Sequence, residues 1–217
     1  MPNFKTRLDD FLLASQVMIE NALADAEIKE KVAAFGYSEN KLVQAKTLYQ
    51  EVTELYNKQK KEYGEQIEAT KEQKYAYDET NKAYMKSLKV ARVAFQNNAK
   101  AASLLIDGQR KQSLSGYVEQ ANAFYTNLLN DPELLGIMAE FGCTIEKLKA
   151  EHELVRKLIV KVEAHAKETG EAQTATEKRD KKIDELDSWL SDFKKIVKVA
   201  FEDDRQKLEK LGITAKS

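Results

Sequence analysis

The residues best suited to chemistry in this chain are two histidines, one cysteine and two Glu-x-x-Glu pairs. A di-metal carboxylate centre needs Glu-x-x-His on facing helices, so that ligands three apart point together into a bundle core. The residue three before His152 is Lys149, and the residue three before His165 is Val162, so that set is not delivered. A single cysteine, Cys143, can form neither an internal disulfide nor a zinc site, and no histidine or basic cluster flanks it to stabilise a thiolate. Glu62 with Glu65 and Glu168 with Glu171 could present carboxylate oxygens to a hard cation such as Ca²⁺ or Mg²⁺. The plainer expectation is that they are solvated helix charges, like Asp78-Glu79 and Asp184-Glu185. No Gly-x-Ser-x-Gly turn offers a nucleophile, and the glycines never form a phosphate-cradling loop. No enzymatic activity, cofactor or metal is expected.

Tyrosine is the less ordinary feature. Tyr49, Tyr56 and Tyr63 step by seven, and Tyr77 and Tyr84 continue the same phase. Seven of the nine tyrosines lie before residue 107. A phenol carries a polar tip that a dry seam leaves unsatisfied, and tyrosine is enriched where surfaces bury on association. These five residues are therefore the candidate interface or ligand-binding set.

The elements that must position them are helices. Pro occurs only at Pro2 and Pro132 and Gly at eight positions, while Asp, Glu, Lys and Arg make up 33% of the chain. That is the composition of exposed helix faces around an apolar seam. Sliding the sequence against itself by 106 positions aligns 21–111 with 127–217 without a gap, giving 23 identities in 91 positions. Shared Phe35-Gly36 with Phe141-Gly142, and Val93-Ala94-Phe95 with Val199-Ala200-Phe201, are not explained by Lys/Glu bias. Internal duplication is the expectation, with repeats at 1–106 and 107–217 joined around Asp107-Gly108-Gln109-Arg110.

Within each repeat a first helix ends near Asp25 or Asp131, which then cap a short helix; Pro132 suits the first position of the second one. Gly36 and Gly142 close the short helices. Tyr37 and Leu42 flank the Ser38 cap, and Cys143 and Leu148 flank Thr144, at the spacing of a hydrophobic staple. An apolar seam then runs through Leu42, Ala45, Tyr49, Val52 and Tyr56, and through Leu148, Val155, Leu158 and Val162. It resumes at Tyr77, Tyr84, Ala91 and Ala94, and at Ile183, Leu186, Leu190, Phe193, Val197 and Ala200. His165 lies on this seam opposite Gln59 of the first copy and reads as a hydrogen-bonded core residue. Gly64 and Gly170 interrupt the seam and predict a hairpin, although Leu42 to Tyr77 is five whole heptads and an unbroken helix to about residue 104 would keep the phase.

The fold expected is an all-α, up-and-down bundle of two three-helix units, with about six long helices and two short ones. With 35 basic against 36 acidic residues, no global field recruits nucleic acid or an anionic membrane. Clusters such as Lys58-Gln59-Lys60-Lys61 are interleaved with acids. Asp9 and Asp10 interrupt any secretory h-region, no transmembrane stretch is present, and the expected location is cytoplasmic. The function expected is a non-enzymatic scaffold or adaptor working through a protein partner or self-association. The alternatives are a small-ligand binder with a tyrosine-lined groove and, behind it, a carboxylate metal protein.

Overall fold

The computed structural model describes residues 8–96, 98–107 and 110–213, and among them there is no β-strand. Met1 to Arg7, including Pro2, and the Gly108-Gln109 part of the expected linker lie outside the described residues. In chain order the helices are α1 (Leu8–Ala24), α2 (Ala26–Ala33), α3 (Glu39–Ala94), a 3₁₀ helix (Ala99–Leu104), α4 (Leu114–Leu129), α5 (Pro132–Glu140), α6 (Ile145–Ala200) and α7 (Arg205–Lys210). No helix among the described residues is long and apolar enough to cross a membrane.

Local chemistry sets the short elements. Asp25 Oδ1 accepts from the backbone N–H groups of Glu27 and Ile28 at 3.0 and 3.2 Å, and Asp131 does the same for Glu133 and Leu134 at 2.9 and 3.2 Å. Gly36 and Gly142 take φ of +82° and +74°, and the N–H groups of Tyr37 and Cys143 reach back to Val32 and Met138. The staple side chains Tyr37, Leu42, Cys143 and Leu148 are all buried. Asp25 is also held by the Lys210 and Lys207 ammonium groups at 2.7 and 3.0 Å, which keep its carboxyl well below the usual carboxylate range.

The hairpin expected at Gly64 and Gly170 does not form. α3 and α6 each run unbroken for 56 residues, so two long helices replace the four segments expected from residues 38–104 and 144–210. Neither glycine adopts positive φ, and neither is near enough to other atoms to need its missing side chain. The surrounding Lys, Glu, Gln and Ala are strong helix formers, so the cost of one glycine, about 1 kcal/mol, is too small to end the helix. Small Ala69, Ala172 and Ala175 carry buried positions through the polar middle.

Shifted by 106 positions, Glu39–Ala94 falls on Ile145–Ala200 at both ends, and Ala99–Leu104 falls on Arg205–Lys210 at both ends. The start of α1 falls on that of α4, and the start of α2 on that of α5.

Two compact units form: Met1–Tyr63 with Glu171–Ser217, and Gly64–Gly170. The first, unit 1, has a core of Ile19, Ile28, Val32, Leu42 and Val52 with Leu186, Leu190, Phe193, Val197 and Phe201. The second, unit 2, packs Tyr84, Leu88 and Leu104 against Phe124, Tyr125, Leu128, Leu134, Leu148, Val155 and Leu158. Each unit thus takes one segment from before residue 107 and one from after it.

Candidate functional site

The five heptad-spaced tyrosines do not form one face. Tyr49 and Tyr56 pack at the edge of the unit 1 core, where the Tyr49 hydroxyl donates to Gln16 Oε1 at 3.2 Å and Lys60 Nζ sits 3.9 Å above the Tyr56 ring. Tyr63 is 55% exposed. In unit 2, Tyr77 lies at the core edge and Tyr84 is fully enclosed. The tyrosine that joins them is Tyr117 on α4, whose ring meets Tyr77 edge-on at 4.8 Å and Tyr84 at 5.8 Å.

Unit 2 has a polar interior. Glu151, 8% exposed, accepts at one carboxylate oxygen from Ser87 Oγ at 2.5 Å and from the Tyr125 hydroxyl at 3.0 Å. Thr80 Oγ1 lies within bonding distance of the carbonyl oxygens of Ala76 and Leu154, at 2.7 and 3.1 Å. His152 stacks on Tyr125 and approaches Asn122 Oδ1 through Nε2 at 3.0 Å. Burial lowers the imidazole pKa, with Arg156 adding to the shift and Glu153 opposing it. The hydroxyls of Tyr84 and Tyr117 are buried without a hydrogen-bond partner. Burial raises the Tyr84 phenol to about 12, and raises those of Tyr117 and Tyr125 further.

The positions 106 residues away in unit 1 are apolar. Leu186, Leu190, Phe193, Ile19 and Ala45, all buried, stand where unit 2 has Thr80, Tyr84, Ser87, Tyr125 and Glu151. The buried Glu151 carboxylate, accepting hydrogen bonds from Ser87 on α3 and Tyr125 on α4, ties those two helices to α6.

Two concavities open on the surface of unit 2. One, of about 580 Å³, is a groove between α3 and α6 lined by Lys71, Tyr75, Ala76, Arg156, Lys157 and Val160 among others. Tyr75 is 72% exposed and Val160 60% exposed, while the positions 106 away in unit 1 are Lys181 and Glu54. The groove counts Lys71, Arg156, Lys157 and Lys161 against Glu72, Glu79 and Glu153. Glu72 pairs with Lys161 and Glu153 with Arg156, leaving Lys71 and Lys157 without a carboxylate partner among the described residues. The other concavity, of about 280 Å³, is lined by Tyr77, Tyr117, Lys74, Gln73, Gln112, Leu114 and Thr70. Tyr75 and Tyr77, two positions apart, face opposite sides of α3, so the concavities are separate.

The remaining candidates are placed as follows. Glu62 and Glu171 belong to unit 1, and Glu65 and Glu168 to unit 2. Cys143 is buried, with Lys147 Nζ at 3.7 Å from its sulfur, and His165 is half-buried. No protein-family model, curated protein or solved structure matches the chain significantly.

Proposed function

We propose that the chain is a non-enzymatic helical adaptor whose working surface is the groove between α3 and α6 in unit 2, and that its occupant is an amphipathic helix of a protein partner. The observation that carries the reading is the exposure of Tyr75 and Val160 over that groove. A large aromatic and a β-branched residue held in water on a helix surface cost free energy that an occupant would remove. Unit 1 keeps charged residues at the same positions, so folding the helix pair does not itself require apolar ones there. Four basic against three acidic residues leave a small positive excess beside the apolar strip, which suits a helix with an apolar i, i+3, i+4, i+7 stripe and acidic flanks. The cytoplasm is the compartment proposed for this work.

The test is titration with two designed amphipathic peptides, one with acidic and one with basic flanks, monitored by calorimetry. Saturable binding of the acidic peptide is expected, together with weakening by about tenfold or more in Val160→Lys and Tyr75→Ser, because a few central apolar residues dominate such interfaces. Neither substitution should move the melting temperature appreciably, since both side chains are exposed. Binding indifferent to both substitutions, or no binding of either peptide, would remove the groove from consideration.

A further inference from the structure

The second concavity of unit 2 carries an inference that does not depend on the adaptor reading. We infer that the cavity bounded by Tyr77, Tyr117, Leu114, Lys74, Gln73 and Gln112 is a binding site for a small molecule with a flat apolar body and a carboxylate group.

Its construction starts with local sequence. Ser113 caps α4 by accepting from the Gly116 N–H at 3.2 Å, and the chain just before it folds over the first turn of the helix. That approach is possible because residue 116 is glycine: a Cβ there would lie 2.7 Å from the Lys111 side chain. The fold-over carries Gln112 and Leu114 to the cavity, and α3 supplies Gln73, Lys74 and Tyr77 from successive positions.

The lining chemistry is one-sided. The Lys74 ammonium, the two carboxamide NH₂ groups and the Tyr77 hydroxyl can all donate, and no Asp or Glu lines the space. Lys74 has no acidic partner among the described residues, and the start of α4 adds the positive end of a helix dipole. Both favour an anion that accepts hydrogen bonds. The apolar side comes from Leu114 and the edge-on Tyr77–Tyr117 ring pair, which suits a planar group. The Tyr117 hydroxyl is sealed from solvent, so this ring offers the cavity its apolar surface and the donors are the other side chains. A volume of about 280 Å³ lies near the lower end of the range for small-molecule pockets, about 300–1,000 Å³, which limits the ligand to about one ring with a short acid chain.

The equivalent place in unit 1 lacks these features. Gln73 and Lys74 correspond to Arg179 and Asp180, which pair with each other, and Tyr77 and Tyr117 correspond to Ile183 and Phe11. The donors and the ring pair are therefore specific to unit 2 and are not a by-product of the helix geometry.

The experiment is an NMR titration of the full chain with benzoate, phenylacetate and 3-phenylpropionate, each paired with its neutral amide. Saturable shifts of the Tyr77 and Tyr117 ring signals are expected for at least one acid, with the matching amide about tenfold weaker or worse. Lys74→Met should erase the preference for the acid while leaving the fold intact, since Lys74 is exposed. Val160→Lys should change neither affinity nor preference, which separates this site from the groove. Absence of saturable shifts with all three acids at millimolar concentration, or an acid preference unaltered in Lys74→Met, overturns the assignment.

Discussion

Ser87 and Glu151 meet through a 2.5 Å hydrogen bond inside unit 2, whereas the residues 106 positions from them, Phe193 and Ala45, are both buried hydrophobics in unit 1. The contrast allows a direct exchange of one interior for the other. Glu151→Ala alone strands the hydroxyls of Ser87 and Tyr125 and should cost about 2–6 kcal/mol, since each unsatisfied buried group costs about 1–3 kcal/mol. Adding Ser87→Phe and Tyr125→Ile, the residue types of unit 1, should restore much of that loss because the set is then apolar throughout. Urea unfolding of the single and triple variants decides it; a triple variant no more stable than Glu151→Ala would show that the two interiors are not equivalent.

Tyr84 should tolerate loss of its hydroxyl. The phenol oxygen is buried with no partner, so Tyr84→Phe should be neutral or stabilising by about 1 kcal/mol. Tyr84→Ala removes a ring that touches Tyr117, Phe124 and Tyr125 and should cost about 3–5 kcal/mol. A destabilised Tyr84→Phe variant would mean that a bound water or ligand satisfies that hydroxyl.

Gly64 and Gly170 sit in helix interiors with nothing but their own adjoining helix backbone within 4 Å of where a Cβ would stand. Gly64→Ala and Gly170→Ala should each raise stability by about 0.5–1 kcal/mol. Gly36→Ala, at φ +82°, should lower it. Loss of stability on placing alanine at 64 or 170 would contradict the continuous helices.

His152 makes unit 2 sensitive to mild acid. Its folded pKa is depressed, so between the unfolded and folded values the unfolded chain binds more protons. The contribution is therefore complete above about pH 6.5 and declines as pH falls below it. The hydrogen-exchange protection factors of α4 and the first half of α6 should fall from pH 7 to pH 5, once the slower intrinsic exchange of amides in acid is divided out. His152→Gln, which keeps a donor for Asn122, should flatten that dependence; an unchanged profile would assign the effect to another group.

Much of the local structure was readable from residue order. The Asp25 and Asp131 caps, the left-handed Gly36 and Gly142 and the buried staples all follow from interactions within a few residues. Gly64 and Gly170 point to a turn because glycine in a polar stretch is also the composition of one, yet the helices run through both. The unbroken heptad phase from Leu42 to Tyr77 was the contrary signal, and it proved the better guide.

The polar interior left a trace that periodicity alone could not interpret. The apolar seam skips Thr80, Ser87 and Glu151, positions that unit 1 fills with Leu186, Phe193 and Ala45. A polar residue in seam register means either an exposed edge or a satisfied buried group, and partners 64 and 26 residues away in sequence decided for the second. Tyr117 and Tyr75 were hidden for different reasons. Tyr117 belongs to α4 and joins the tyrosine set only through tertiary packing, while Tyr75 lies off the seven-residue phase.

The division into units also imposes an order of events during synthesis. Unit 2 is one uninterrupted stretch, Gly64–Gly170, and all of its core has left the ribosome while residues 171–217 are still being added or threaded through the exit tunnel. Unit 1 needs Phe193, Val197 and Phe201 to complete the core that holds Leu42, Ile28 and Val32, so its first helices must wait, apolar faces uncovered, until those later residues have been made. The helices of residues 8–33 are therefore the part of the nascent chain most in need of chaperone protection, and a ribosome stalled before residue 183 would leave unit 1 without the residues that close it.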